Sequence, residues 1–183
     1  MKVRTIAISL LIAGSFGVMR VSNAQSKECS QNKLPAAAQA LLHSKFPTFH
    51  VVELSDLAPD ERMEWTEHEG AKCPGIAEGE FSRNLAGYVV SLTRKAGLNR
   101  GQQVLVFLRS DQKGYDLHIL SPRSTVESHT LVVSLGKPGQ YHPVNGGESV
   151  TMHWPVILYE AIDAGIVGYY YANNQWHEIQ LSE

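Results

Sequence analysis

From Ile76 to the end of the chain, runs of β-branched and aromatic residues alternate with turn residues, and this pattern constrains the fold more than any other feature. GYVVSLTR and QQVLVFLRS are two such runs. Near the C-terminus, Asn173 and Asn174 lie between two further runs and suit a two-residue type I′ turn. The pattern predicts a mostly antiparallel sheet of about seven or eight strands.

Two helical segments precede the strands. Residues 34–46 are helix-forming throughout and are followed by Pro47, which ends the segment. A second segment has Ser55 or Asp56 as a candidate N-cap and Gly70 as a stop. We therefore predict an α+β fold in which one or two N-terminal helices pack on the antiparallel sheet.

The first 24 residues have the features of a signal peptide. Basic residues at the start, an apolar stretch over residues 5–19 and small residues at positions 22 and 24 match the parts of such a leader. The apolar stretch is short for a membrane span, so we expect cleavage after Ala24, with an uncleaved anchor as the alternative. Residues 25–183 then form a single α+β domain that is periplasmic or secreted, without stable membrane insertion.

The charge of the chain argues against two classes of partner. The full sequence has 16 Lys and Arg residues against 18 Asp and Glu residues. The leader contains three of the basic residues and no acidic residue, so the remainder carries a net charge of −5. A domain with this charge is not expected to bind nucleic acid or an anionic membrane surface.

Both cysteines, Cys29 and Cys73, follow the leader. In an oxidising compartment an even pair predicts one disulfide bond. Closing a loop of this length stabilises a fold by roughly 4 kcal/mol in the chain-entropy model. A metal site that adds His68 to the two cysteines is the alternative, but the cysteines lack C-x-x-C spacing.

The stretch GEFSRNLAGYVVSL, which begins at Gly79, resembles the pattern G-D-F-D-x-D-G-x-x-D of FG-GAP/VCBS-type repeats in secreted bacterial proteins. The likeness extends over residues 73–120, where the layout is similar to that of a group of uncharacterised exported bacterial proteins. In the repeats, alternating acidic residues supply oxygen ligands to Ca²⁺ within a tight turn.

The resemblance does not extend to the calcium ligands. Glu80 is the one position that keeps a carboxylate. Ser82 and Asn84 replace the next two acids, and Arg83 adds a positive charge within the loop. The resemblance therefore implies a strand–turn–strand that keeps the shape of the repeat, and we expect neither a metal nor a cofactor.

Acidic residues are concentrated between positions 53 and 80, where nine acids accompany two bases. A helix over residues 60–69 places several of these acids at i, i+3 and i+4, and therefore on one side. The acids of this side are Asp60, Glu61, Glu64 and Glu67. A solvated face that aids solubility is one interpretation, and a negative patch that captures a basic protein is the other.

The C-terminal hairpin is a second candidate binding surface. Around the asparagine turn, Tyr171 is expected to pair with Trp176 and Tyr170 with His177, on opposite faces of the sheet. One face is expected to pack in the core. Exposed aromatic side chains on the other face, with Tyr171 and Trp176 as the candidates, would form a binding platform.

The sequence contains no nucleophile elbow, P-loop or dinucleotide fingerprint. Our leading hypothesis is an exported, non-enzymatic protein that binds another macromolecule as an inhibitor, an immunity-like protein or an accessory protein. One alternative is a small envelope hydrolase whose site is assembled from dispersed residues such as His142, His153 and Glu160. A structural envelope protein is the third hypothesis.

Overall fold

The computed structural model describes residues 33–96, 100–112, 114–126 and 129–182. The expected signal peptide and Cys29 lie outside these ranges. Within them, no helix is long and apolar enough to cross a membrane. Cys73 is buried, with its Sγ 3.8 Å from the main-chain oxygen of Val52. The described residues contain one cysteine and hence no disulfide, so the Cys29–Cys73 bond stays a prediction.

Two helices and eleven strands are formed by the described residues. The first elements are α1 (Ala36–Lys45), β1 (His50–Val51) and α2 (Pro59–Glu69). The next strands are β2 (Ile76–Ser82), β3 (Leu85–Ala96), β4 (Arg100–Asp111), β5 (Gly114–Val126) and β6 (Leu131–Gly136). The last strands are β7 (Gly139–Tyr141), β8 (Val150–Met152), β9 (Val156–Ala161), β10 (Gly165–Ala172) and β11 (Gln175–Ser182).

The strands form three antiparallel sheets. The first sheet has the order β1-β3-β4-β5, and β2 pairs with β3 along the edge that β1 also uses. The second sheet has the order β11-β10-β9-β6, and β7 pairs with β8 in a two-stranded third sheet. The α+β class with antiparallel strands is confirmed. The predicted single sheet of seven or eight strands is replaced by eleven described strands in three sheets, because strand patterns do not reveal which strands pair.

The first and second sheets pack face to face around a shared core. Side chains of both sheets meet there, among them Phe81, Val89, Leu105 and Phe107 of the first sheet and Val133, Ile157, Tyr159 and Tyr169 of the second. Alternate residues of a strand point to opposite faces, so the neighbouring residues of each strand face outward. The outer face of the first sheet is covered by α1, whose Ala38 and Leu42 pack with Val104 and Val106.

The outer face of the second sheet is covered at two places. Trp65 of α2 packs with Val132 and Ile162 at one end. Elsewhere on this face, Met152 of β8 packs with Ile179 of β11. The two helices therefore cover different sheets, which places α2 beside β9 and the β9–β10 turn.

The turn of the last hairpin has the conformation that its sequence predicts. Asn173 and Asn174 have φ values of 52° and 61°, as a type I′ turn requires at both central residues. Tyr171 pairs with Trp176, as predicted. At the other predicted boundary, α2 begins at Pro59 and not near Ser55, because residues 54–56 form a separate 3-10 turn.

Candidate functional site

A cavity of about 400 Å³ lies between α2 and the outer face of the second sheet, and we name it the acidic cleft. Four acidic side chains line it: Glu64 and Glu69 of α2, Glu160 of β9 and Asp163 of the β9–β10 turn. His68 of α2 lines the cleft as well. The cleft thus joins acids that are widely separated in the sequence.

Trp65 fixes how α2 is rotated on the second sheet. Its side chain is buried against Val132, and its Nε1 donates a hydrogen bond to the main-chain oxygen of Lys72 at 2.9 Å. Glu64 and His68 lie one helical turn apart, so both side chains reach the same side of the helix. That side faces the cleft.

Strand alternation and a tight turn position the acids of the second sheet. Tyr159 faces the core between the sheets, so Glu160 faces outward toward α2. The chain then turns, with the main-chain N–H of Ala164 donating to the oxygen of Ala161 at 2.9 Å. Within this turn Asp163 has a φ of 62°, a conformation that aspartate tolerates better than most residues.

Two acids of the cleft, Glu160 and Glu64, have a raised pKa. Partial burial raises the pKa of Glu160, the carboxylates of Glu69 and Glu64 raise it further, and His68 opposes them. Partial burial also raises the pKa of Glu64, together with a hydrogen bond to Asp163 and the charge of that group. The carboxylates of the cleft therefore repel one another, and a cationic group placed among them would relieve this repulsion.

Of the four acids predicted to form a patch on α2, only Glu64 lines the acidic cleft. Asp60 and Glu67 are exposed on α2 outside the cleft. Glu69 and Asp163 belong to the site although the predicted patch did not include them, and His68, named from the sequence only as a possible metal ligand, lines it as well. No local signal identifies them, because the cleft forms only when the helix docks on residues some 100 positions later in the chain.

Glu61 is a structural residue and not part of an exposed patch. Its side chain is 6% exposed. One carboxylate oxygen accepts a hydrogen bond from the main-chain N–H of Ala58 at 2.9 Å, at the start of α2. The other oxygen lies 3.1 Å from Nδ1 of His129. A partner protein cannot reach this carboxylate, so the predicted acidic face is divided between the interior and the surface.

The two candidate aromatic residues of the last hairpin have different surroundings. Trp176 is partly buried and packs against Phe81 and Phe107, with ring centroids 5.4 and 5.1 Å away. Tyr171 contacts Trp176 at 5.3 Å and lines a separate cavity at the end of the hairpin. The pair does not form one exposed aromatic platform, since Trp176 contributes to the core.

The residues proposed for a hydrolase are not brought together in the described part of the chain. Glu160 lines the acidic cleft, whose described lining includes neither His142 nor His153. His142 is exposed, and its Nδ1 lies 2.8 Å from Oγ of Ser149. His153 is exposed in the loop that precedes β9, whereas Glu160 lies near the opposite end of that strand.

The stretch that resembles calcium repeats forms the β2–β3 hairpin, in which Ser82 pairs with Leu85 across a turn of Arg83 and Asn84. This confirms the strand–turn–strand. Among the described residues, no group of three or more His, Cys, Asp or Glu side chains is arranged to hold a metal ion.

No family model, curated protein or solved structure matches this chain.

Proposed function

We propose that this protein is an exported, non-enzymatic binding protein that recognises a basic protein partner. The acidic cleft holds a lysine or arginine side chain of that partner. One observation carries the proposal: four acidic side chains from α2, β9 and the β9–β10 turn converge on one cavity of about 400 Å³. A cavity of this size falls within the range typical of ligand sites.

The chemistry of the cleft favours a cationic ligand. An ammonium or guanidinium group donates charge-assisted hydrogen bonds to carboxylates, and these are stronger than hydrogen bonds between neutral groups. The partial burial of Glu160 reduces solvent screening, so the attraction is stronger than at an open surface. A bound cation also favours the ionised form of Glu160 and Glu64, whose pKa values are raised in the free protein.

Exposed acids outside the cleft support the same partner. Asp60 and Glu67 lie on the part of α2 that faces solvent. Long-range attraction from such residues increases the rate at which a basic partner arrives and orients it. The cleft then provides the contact that selects the side chain.

The experiment has two stages. The purified protein is used as bait for proteins of the periplasm or culture medium, and affinity is then measured by calorimetry with the captured partner and with a lysine-rich decapeptide. The test variant is Glu64→Gln/Glu160→Gln, which removes two charges and preserves shape. The matched control is Glu148→Gln, which removes an exposed acid of the segment between β7 and β8.

We expect the double variant to bind roughly tenfold more weakly or worse, the loss typical of a charged hydrogen bond. The control is expected to bind as the wild type does. If the double variant binds the peptide and the partner as tightly as the control variant does, the acidic cleft is not the binding site.

A second candidate function, hydrolysis, is favoured by one observation, the raised pKa of Glu160 in a cleft. Carboxyl groups with raised pKa values act as general acids near neutral pH. Turnover of nitrophenyl esters or glycosides that Glu160→Gln abolishes would support this function over binding alone. Turnover that the variant retains would assign the activity to another site or a contaminant.

A further inference from the structure

A second cavity, of about 500 Å³, lies at the end of the sandwich where β10 meets β11. We name it the arginine groove, because two arginines, Arg83 and Arg109, line it. It shares no described lining residue with the acidic cleft. The two sites lie at opposite ends of β10, roughly 23 Å apart along the extended strand.

The antiparallel topology assembles the groove from four segments. Arg83 belongs to the β2–β3 turn, and Arg109 lies near the end of β4, where it is opposite Gly87 of the neighbouring strand β3. Asn174 belongs to the β10–β11 turn. Trp154 comes from the loop between β8 and β9. Because β3 and β9 begin at this end while β4 and β10 finish there, side chains distant in sequence become neighbours.

Both arginines are available to a ligand. Arg83 and Arg109 are exposed, and neither guanidinium has a hydrogen bond or ion pair within the described part of the chain. A guanidinium presents a planar set of donors that fits a carboxylate, phosphate or sulfate through two parallel hydrogen bonds. Two unengaged guanidiniums in one cavity therefore indicate an anionic ligand.

The other residues that line the groove indicate a ligand with a flat apolar face and several hydroxyl groups. Trp154 is 37% exposed and offers a flat apolar surface, and the ring of Tyr171 is held in place by Trp176. Such rings pack against a flat apolar face of a ligand. The hydroxyl of Ser82 and the amides of Asn84 and Asn174 both donate and accept hydrogen bonds, as a polyhydroxylated ligand requires.

We propose that the arginine groove binds an anionic saccharide, a sugar ring that bears a carboxylate, phosphate or sulfate. The guanidiniums contact the anionic group, Trp154 packs on the ring, and the amides contact the hydroxyls. The cavity volume suits one or two sugar rings. A nucleic acid also carries phosphates, but the net negative charge of the chain disfavours a long polyanion.

Four probes separate the parts of this proposal in calorimetric titrations of the purified protein. Digalacturonate combines the sugar with the anion, and its dimethyl ester keeps the sugar without the charge. Inorganic phosphate supplies an anion alone, and oligothymidylate supplies a polyanion with bases. We expect digalacturonate to bind at least about tenfold more tightly than each of the other three.

The variants are Arg83→Gln and Arg109→Gln, each with an exposed side chain whose loss spares the core. Each is expected to weaken digalacturonate binding roughly tenfold, as the loss of a charged hydrogen bond does. Lys45→Gln, an exposed cation of α1, is the matched control and is expected to have no effect. Glu64→Gln in the acidic cleft is also expected to leave this affinity unchanged, which separates the groove from the proposed protein-binding site.

Tryptophan fluorescence gives a second readout. Digalacturonate is expected to change the emission of the wild type, and Trp154→Phe is expected to abolish most of that change while its melting temperature stays close to that of the wild type. Three results would overturn the proposal: wild-type affinity in both arginine variants, equal affinity for the dimethyl ester or for phosphate alone, or tighter binding of oligothymidylate than of digalacturonate.

Discussion

The side-chain amide of Gln103 forms two hydrogen bonds with the main chain of Leu131. Nε2 of Gln103 donates to the oxygen of Leu131 at 3.1 Å, and the N–H of Leu131 donates to Oε1 of Gln103 at 2.9 Å. Gln103 belongs to the first sheet and is 1% exposed, whereas Leu131 begins β6 of the second. Oγ of Ser91 also donates to the oxygen of Leu131, at 3.0 Å. The amide thus joins the two sheets with the geometry of a strand pair.

Replacing Gln103 with leucine is expected to destabilise the fold. In this variant Oγ of Ser91 still donates to the main-chain oxygen of Leu131. The N–H of Leu131, however, loses the acceptor that Gln103 provides. Leaving such a group unpaired costs about 1–3 kcal/mol. Urea unfolding measures this loss. Gln140→Leu, at an exposed position of β7, is the matched control, with an expected change within about 0.5 kcal/mol. Equal stability of the two variants would show that the amide contact does not hold the sheets together.

The raised pKa of Glu160 makes stability depend on pH. The folded protein keeps a proton on Glu160 above the ordinary value of 4.5, at which the unfolded chain releases it. The folded state therefore binds more protons in this window, and the free energy of unfolding falls as pH rises from 4.5 through the folded pKa. Glu160→Gln removes the contribution of Glu160 to this pH dependence.

We expect Glu160→Gln to melt at a higher temperature than the wild type at pH 7 and at nearly the same temperature at pH 4. Thermal melts across this range, with Glu148→Gln as the exposed control, measure the difference. The same variant is expected to lose affinity for the lysine-rich decapeptide. If Glu160→Gln instead melts at a lower temperature than the wild type at pH 7, the surroundings stabilise ionised Glu160. That result would contradict the repulsion expected from the carboxylates of Glu64 and Glu69.

Features set by local chemistry were predictable from the sequence. Asn173 and Asn174 both adopt positive φ, because asparagine tolerates this conformation and a two-residue hairpin requires it. Gly70 ends α2 with a φ of 63° for a similar reason. The antiparallel strands after Ile76 followed from composition and turn spacing.

Features set by packing were not predictable. The helical spacing placed Glu61 and Glu64 on one side of α2, but it did not show which side faces the protein. Docking of Trp65 on Val132 decides that question. It buries Glu61 and directs Glu64 into the acidic cleft. Likewise, no local pattern indicates that Asp163 meets α2, because that contact depends on the order of the strands.

Calcium is expected to leave the stability of the protein unchanged. Glu80 is exposed and lies next to a turn that contains Arg83, so the β2–β3 hairpin offers a dication one carboxylate beside a positive charge. A ligand raises the melting temperature only if it binds the native state. Melts with and without millimolar Ca²⁺, using Glu80→Ala as the comparison, test this expectation. An increase that Glu80→Ala abolishes would restore a calcium site to the hairpin.

The last prediction concerns a cation built into the acidic cleft. Glu64→Lys places an ammonium group near Glu160 and Asp163, where it replaces repulsion with attraction. We expect this variant to melt at a higher temperature at pH 7 and to bind the lysine-rich decapeptide at least about tenfold more weakly, since its own side chain competes for the cleft. Calorimetry and thermal melts measure the two effects.

Glu67→Lys is the matched control for this cation. It makes the same change of charge one turn away, on the exposed face of α2 outside the cleft. It is expected to weaken peptide binding modestly and mainly at low salt, because charges at an open surface are screened within about 8 Å at physiological ionic strength. If both lysine variants weaken binding equally and both losses vanish at high salt, general surface charge attracts the partner and the cleft does not select a side chain.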